Sequence, residues 1–300
     1  MKIRLLFTLL LLSTIAFGQQ TRVKVPGTKC TMIPPAGFTA VKNFSGFQDE
    51  GTGTTIMVNE LPVPYLSIIE GFTADALRSK GMTLRDQQTI DFNNGKASLF
   101  YVEQYANSMK YLKQIIIFGD EKKTIMINGI YPKVSEFVAG IVKESLLSTL
   151  YNDTINDDPL EVAAFSVDAN NTPFKHVKYM SGGLIYSIDG RIASIQPTLV
   201  ISPSISKVTV TNRKDYAVKR FQTIPGVGNC EADEINEIKI DSLSGYEIIA
   251  VCKTENPELV YQVMLFNDEG DYYILIGLSS KDIKKQLVFF KQIAKTFKRK

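Results

Sequence analysis

The segment FGDEKKTIMINGIYPK (residues 118–133) returns in outline as FNDEGDYYILIGLSSK (residues 266–281). Phe, an Asp-Glu pair, an apolar run, Gly and Lys recur in the same order, 148 positions apart. A chain of 300 residues has room for two ordinary domains. Such a repeat reads as a tandem duplication, so whatever fold one half adopts the other must adopt too.

The first half divides readily. TTIMVNEL (Thr54–Leu61) alternates as a strand. PVPYLSIIEGFTADALRSKG follows as a helical stretch, with Pro64 in its first turn, Gly71 as a possible break and Gly81 as its stop. MTLRDQQTIDF, KASLFYVEQY, MKYLKQIIIFG and KTIMINGIY then read as four strands joined by short turns, an antiparallel meander. VSEFVAGIVKESLLSTL closes the half as an amphipathic helix on the sheet. Val134, Val138, Ile141, Ser145 and Leu146 lie at helical spacing, with Phe137 and Val142 beside them, and Phe137 is expected to be a buried ring.

The second half repeats the order: EADEINEIKID, the turn SLSG, YEIIAVCK, LVYQVMLFN, DYYILIGL and the helix KDIKKQLVFFKQIAKTF. Ile283, Leu287, Phe290, Ala294 and Phe297 form its expected buried stripe. Ile90-Asp91 align with Ile240-Asp241 and Gly95 with Gly245, which implies a two-residue deletion before the Phe-Asp-Glu turn. The front of the second copy, SGGLIYSIDGR, PTLVISPSIS and a helix around RKDYAVKRF, looks degenerate beside the first. The expected organisation is a domain over residues 28–150, a polar linker over 151–159 and a divergent second domain over 160–300.

Residues 1–18 read differently. Lys2 and Arg4 precede an apolar block from Leu5 to Leu12, and Ala16 and Gly18 supply small side chains before Gln19. This is the pattern of a signal peptide cut between Gly18 and Gln19, and the block is shorter than the ~20 residues a bilayer crossing takes. Export to the periplasm or the medium is expected, with no transmembrane anchor. Losing Lys2 and Arg4 leaves 32 Lys+Arg against 31 Asp+Glu, a balance that speaks against a nucleic-acid surface.

Cys30, Cys230 and Cys252 are an odd count, and no C-x-x-C spacing is present. Cys230 and Cys252 lie 14 and 8 residues from Ser244, so a regular ladder does not set them opposite each other, though a bulge could. The expectation is a fold that relies on its core, with no essential disulfide.

PPAGF, IMVNEL, GFTADALRSKGM, NNGKASLF and YPKVSEF…SLLSTL resemble the PsbP-like superfamily. The resemblance covers roughly Thr28 to Leu150 and, more weakly, Glu161 to Lys298. It implies an α+β chain of two tandem α/β/α sandwiches, each an antiparallel sheet with a closing C-terminal amphipathic helix. The superfamily also holds a Ran-binding nuclear import factor and small exported bacterial proteins, and its members mostly bind other proteins or assist their assembly. An exported chain excludes a Ran partner.

No motif assigns chemistry. His176 is the sole histidine; a triad with Ser181 and Asp189 lacks a G-x-S-x-G elbow, and an edge-strand or surface histidine is the simpler reading. Asp153, Asp157 and Asp158 cluster without the Gly and final Glu of an EF-hand loop, which favours a solvated linker over calcium. PGVGN (residues 225–229) lacks the P-loop Lys-Ser/Thr pair and reads as a turn. The pairs Asp120-Glu121 and Asp268-Glu269 sit in turns that point them into water, and Lys133 with Lys281 need only common descent. Tyr65, Ile68 and Phe72 read as core. No catalytic, cofactor-binding or metal-ligating residue is therefore assigned and no cofactor is expected. The reading is a non-catalytic exported binding or assembly protein with a protein partner in the cell envelope or outside the cell. The alternative is an exported hydrolase or small-ligand carrier using a groove between the halves.

Overall fold

The computed structural model describes residues 21–300 except 107, 193–196, 206, 209, 226, 228, 229 and 253–257. The expected signal segment, residues 1–18, lies outside the described residues, as does most of the PGVGN turn. Among the described residues no helix is long and apolar enough to cross a membrane.

The described chain opens with β1 (Val23–Lys24) and β2 (Cys30–Met32). The first half continues through β3 (Thr39–Ala40), β4 (Gly46–Asp49) and β5 (Thr54–Leu61) to the short helices α1 (Tyr65–Ile69) and α2 (Ala74–Arg78). The meander is β6 (Met82–Phe92), β7 (Gly95–Ala106), β8 (Met109–Gly119) and β9 (Thr124–Pro132). A 3-10 helix (Lys133–Val138), α3 (Ala139–Leu147) and β10 (Leu150–Tyr151) close the half. The second half runs α4 (Pro159–Val162), β11 (Phe165–Ser166), β12 (Lys175–Met180), β13 (Gly183–Ser187), β14 (Thr198–Pro203) and α5 (Arg213–Gln222). It ends with β15 (Glu234–Ile240), β16 (Leu243–Cys252), β17 (Glu258–Phe266), β18 (Tyr272–Ser279), α6 (Ile283–Lys295) and β19 (Lys298–Arg299).

Each half carries a seven-stranded antiparallel sheet, ordered β3-β4-β5-β9-β8-β7-β6 and β12-β13-β14-β18-β17-β16-β15. Strand for strand these are one topology, and in each half the last strand of the chain pairs back to an early one, β10 to β2 and β19 to β11. The layers repeat as well. On one sheet face Val138, Val142 and Leu146 pack over Ile56, Leu99 and Ile127, and Leu77 packs with Phe100 and Ile117 on the other. The second half sets Phe290 and Ile293 over Leu199 and Val263, and Ala217 and Phe221 over Ile248 and Met264. The chain is thus α+β, two tandem α/β/α sandwiches.

Gly129 and Gly277 let the closing helices approach. A methyl group at Gly129 would lie 2.5 Å from Val142 Cγ1, and one at Gly277 would lie 2.7 Å from the Phe290 ring. Both pairs stand 148 positions apart, so the repeated glycine marks a close helix–sheet contact in each half.

Strand register corrects the alignment expected from sequence. Asn93-Asn94 and Asp241-Ser242 all have φ between 48° and 64°, which makes both hairpins two-residue turns. Phe92 pairs Gly95, and Ile240 pairs Leu243. The two turns are therefore equivalent at 148 positions, and no two-residue deletion follows them. The matching Phe118 and Phe266 are not equivalent: Phe118 joins the core under α3, whereas Phe266 joins the core under α5. The loop after β17 is one residue longer than that after β8, since Gly119 pairs Thr124 while Phe266 pairs Tyr272.

The same hairpin corrects the cysteine expectation. With its centre at Asp241-Ser242 instead of near Ser244, Cys230 stands 11 residues before the turn and Cys252 10 after it. The two form a disulfide, with Cα atoms 5.3 Å apart. Cys30 is free and buried.

Two helices also differ from expectation. α5 is one continuous helix of ten residues, where the first half has the two five-residue helices α1 and α2. The Asn212 side chain caps it by accepting from Asp215 N, and Ala217 and Phe221 are buried, so the crossover of the second copy is not degenerate here. The closing segment of the first half starts as a 3-10 helix with a non-helical Ser135 (φ −100°, ψ 19°). This shifts the inward positions to Ser135, Val138, Val142, Ser145 and Leu146, and turns Val134 and Phe137 outward. Phe137, expected in the core, is 79% exposed, whereas Phe290 is fully buried.

Candidate functional site

The residues singled out in the sequence do not converge. His176 lies on β12, an edge strand, with its ring 5.6 Å from Tyr186. Burial pushes its pKa down, against a backbone hydrogen bond at Lys178 and the Asp158 carboxylate. Its Nε2 is buried with no partner among the described residues. Ser181 is at the other end of the strand, roughly 16 Å away at ~3.3 Å per residue. The Ser181 hydroxyl donates to Asn59 Oδ1 of the first half at 2.5 Å, and Asp189 accepts from Ser187 Oγ at 3.1 Å.

The linker carboxylates each have a local task. Asp153 accepts from Lys123 Nζ at 2.9 Å and from the Tyr151 hydroxyl at 2.7 Å, and these bonds, the lysine's first, hold its pKa down at about 2. Asp157 pairs with Lys24 and accepts from Gly27 N at 3.2 Å. Asp158 caps α4 by accepting from Leu160 N. Asp120 accepts from the amides of Lys122 and Lys123, which lowers its pKa, and Asp268 pairs with Arg213. Lys133 pairs with Glu136. Tyr65, Ile68 and Phe72 pack against the core under α1 and α2, as the sequence implied.

Two surfaces stand out instead. The first is an apolar ridge on the closing segment of the first half. Val134 is 88% exposed, Phe137 79% and Ile141 46%. Their spacings of three and four place them on one face of the 3-10 helix and α3. The ridge is held from beneath: Ser135 Oγ donates to Thr52 O at 3.0 Å, and Gln114 Nε2 donates to Ala139 O at 3.1 Å and to the Tyr131 hydroxyl at 3.0 Å. Sequence periodicity missed this surface because the segment is apolar on both faces.

The second is a cleft between the halves. The turn between β12 and β13 wedges into the first half. Gly182 has φ 81°, and a methyl group there would lie 2.0 Å from Asn43 O. On one side of the wedge a small recess of about 200 Å³ brings together Lys29, Glu60, Asp157 and Lys178. On the other side a cavity of about 660 Å³ opens over the first sheet where α1 and α2 leave it uncovered. Met57, Ile130 and Lys113 line its floor, and Ile205, Lys207 and Asp271 of the second half form its wall. Thr55 pairs Ile130 and Ile130 pairs Lys113 across β5, β9 and β8, so these side chains share one face. Burial alone pushes the Lys113 pKa down. These residues come from distant segments, and no local pattern in the sequence marks them.

No family model matches the chain, and no curated protein matches it. Several solved structures are similar in shape. Cyanobacterial PsbP (CyanoP) from Synechocystis sp. PCC 6803 is 11% identical, with 44% of this chain and 92% of that one covered at a TM-score of 0.33. The immunity protein TplEi of the T6SS from Pseudomonas aeruginosa is 12% identical, with 94% and 98% covered at 0.35. A structure from Bacteroides thetaiotaomicron VPI-5482 is 12% identical, with 50% and 53% covered at 0.31. Scores this low describe a likeness without deciding kinship, and the architecture stands on the strand order of the two sheets.

Proposed function

We propose that this chain is a non-catalytic, exported binding protein that docks a protein partner on the ridge formed by Val134, Phe137 and Ile141. The observation that carries the reading is the exposure of three large apolar side chains on one anchored helical face. Exposed apolar patches of this kind mark interaction sites, and aromatic residues are enriched among interface anchors. The hydrogen bonds of the buried Ser135 and Gln114 side chains hold the ridge before binding, which lowers the ordering cost of docking. Export rests on the pattern of residues 1–18, and it places the partner in the cell envelope or outside the cell. The resemblance of PPAGF, IMVNEL and NNGKASLF to PsbP-like proteins supports the same class of function.

The experiment is a capture of partners from the envelope fraction by the native chain, Phe137→Ser, Ile141→Ser and His176→Ala, each checked for folding by circular dichroism. The native chain and His176→Ala are expected to retain the same stoichiometric partner, and the two ridge variants to lose it. Undiminished capture by Phe137→Ser overturns the reading. So does reproducible turnover in a hydrolase screen that disappears with His176→Ala.

A further inference from the structure

The larger cavity between the halves gathers three lysines beside apolar side chains. Lys24, Lys96, Lys110 and Lys291 each pair with a carboxylate, Asp157, Asp91, Glu103 and Glu247. Lys42, Lys113 and Lys207 line the cavity, and none has a carboxylate within ion-pair distance among the described residues. Two carboxylates also line it, Glu50 and Asp271, but neither pairs with these lysines, and Asp271 accepts from Ser204 Oγ at 3.4 Å.

Lys113 is the informative one. It is half-buried on the floor, in register with Ile130 and one strand further from Thr55. A cation taken partly out of water normally acquires an anion to offset the lost hydration. The lining is mixed, with Phe44, Met57, Ile130 and Ile205 giving it an apolar part beside polar residues such as Thr55 and Gln104. Among the described residues no arginine lines the cavity to grip a phosphate through the paired bonds of a planar fork; a lysine acts as a single point charge. The volume of about 660 Å³ falls within the range of small-molecule sites, roughly 300–1,000 Å³.

We propose that this cavity binds a small amphipathic monocarboxylate, its carboxylate seated on Lys113 with Lys42 and Lys207 at the rim, and its apolar body lying along Met57, Ile130 and Ile205. The site differs from the ridge and does not depend on it.

The test is titration calorimetry on the full chain with decanoate as the probe. Decanol supplies the same apolar body without charge, and acetate the charge without the body. Decanoate is expected to bind once per chain. Decanol, acetate and the Lys113→Met variant should each weaken binding by about tenfold or more, the range for losing a hydrogen bond to a charged group. Should Lys113→Met fail to fold, Lys207→Ala changes an exposed side chain and is expected to weaken decanoate binding about threefold. Ile130→Lys is expected to abolish binding by filling the apolar floor with a second buried charge. Three results overturn the proposal: no decanoate binding at about 1 mM, equal affinity for decanol, or affinity unchanged in both lysine variants.

Discussion

Cys30 and Asp153 show how position alone sets opposite chemistry. Cys30 is buried, and desolvation, helped by the Glu60 charge and opposed by a hydrogen bond with Thr28, pushes its thiol up to about 12. Since the thiolate is the reactive form, Cys30 is expected to be inert to thiol reagents at pH 8 in the folded protein. With Cys230 bonded to Cys252, counting thiols by mass should find none in the native chain, one after unfolding and three after unfolding with reductant. Labelling of the native chain would count against this arrangement. Asp153 titrates in the other direction. Its folded pKa, about 2, lies below the ~3.9 of a free aspartate. Its contribution to stability is therefore present above that free value and is lost as pH falls toward 2. A carbon NMR titration is expected to follow this carboxyl to a midpoint well below 3, and a midpoint near 4 would show that the Lys123 and Tyr151 bonds do not hold in solution.

At the scale of elements, the duplicated closing helices give a paired test. Phe290 is fully buried, stacks 5.9 Å from Tyr261 and sits against Gly277, so Phe290→Ala is expected to cost about 3–5 kcal/mol in urea unfolding. Phe137 lies in the corresponding closing segment but faces solvent, so Phe137→Ala is expected to change stability by no more than about 0.5 kcal/mol. Equal losses would mean that the ridge is part of a core. The contrast also shows where the sequence was legible. β5, β6 and β8 match their expected segments residue for residue, because period-two alternation between clear turns leaves one reading. The Phe290 helix was legible because its polar and apolar faces are distinct. The 3-10 start before α3 was not, because a change from 3.6 to three residues per turn rotates the inward face without changing composition. The Cys230–Cys252 bond was hidden by a smaller error: Asp241-Ser242, not the glycine-bearing SLSG, takes the left-handed turn.

For the whole molecule, the halves approach each other closely at two glycines, Gly182 against Asn43 and Gly27 against the Tyr179 ring. Each half has cores on both faces of its own sheet, so neither needs the other to bury its apolar residues. Polar contacts join them, Ser181 to Asn59 and Tyr179 to Ser45, with Asp157 of the connecting stretch holding Lys24 and Gly27. The cleft was invisible in the sequence for this reason, since Ile205, Lys207 and Asp271 reach Lys42 and Lys113 of the first half only by that docking. Gly182 sits at the wedge, where an added methyl group would lie 2.0 Å from the Asn43 carbonyl oxygen. The obstacle is backbone and cannot rotate away, so Gly182→Ala is expected to withdraw the β12–β13 turn while both sandwiches stay folded. Gly190 separates the two possible causes of such an effect. It has a similar φ of 72° but nothing among the described residues within 4 Å of an added methyl, so Gly190→Ala carries the backbone strain of roughly 1–2 kcal/mol without that clash. Small-angle scattering should find a larger radius of gyration for Gly182→Ala than for the native chain or Gly190→Ala, with circular dichroism unchanged. Protease cleavage within residues 152–158 should rise in the same variant, because Asp157 loses its partners. Decanoate binding should fall with it, since Ile205 and Lys207 reach the cavity only from the second half. Identical scattering for all three chains would show that the halves are not held by this contact.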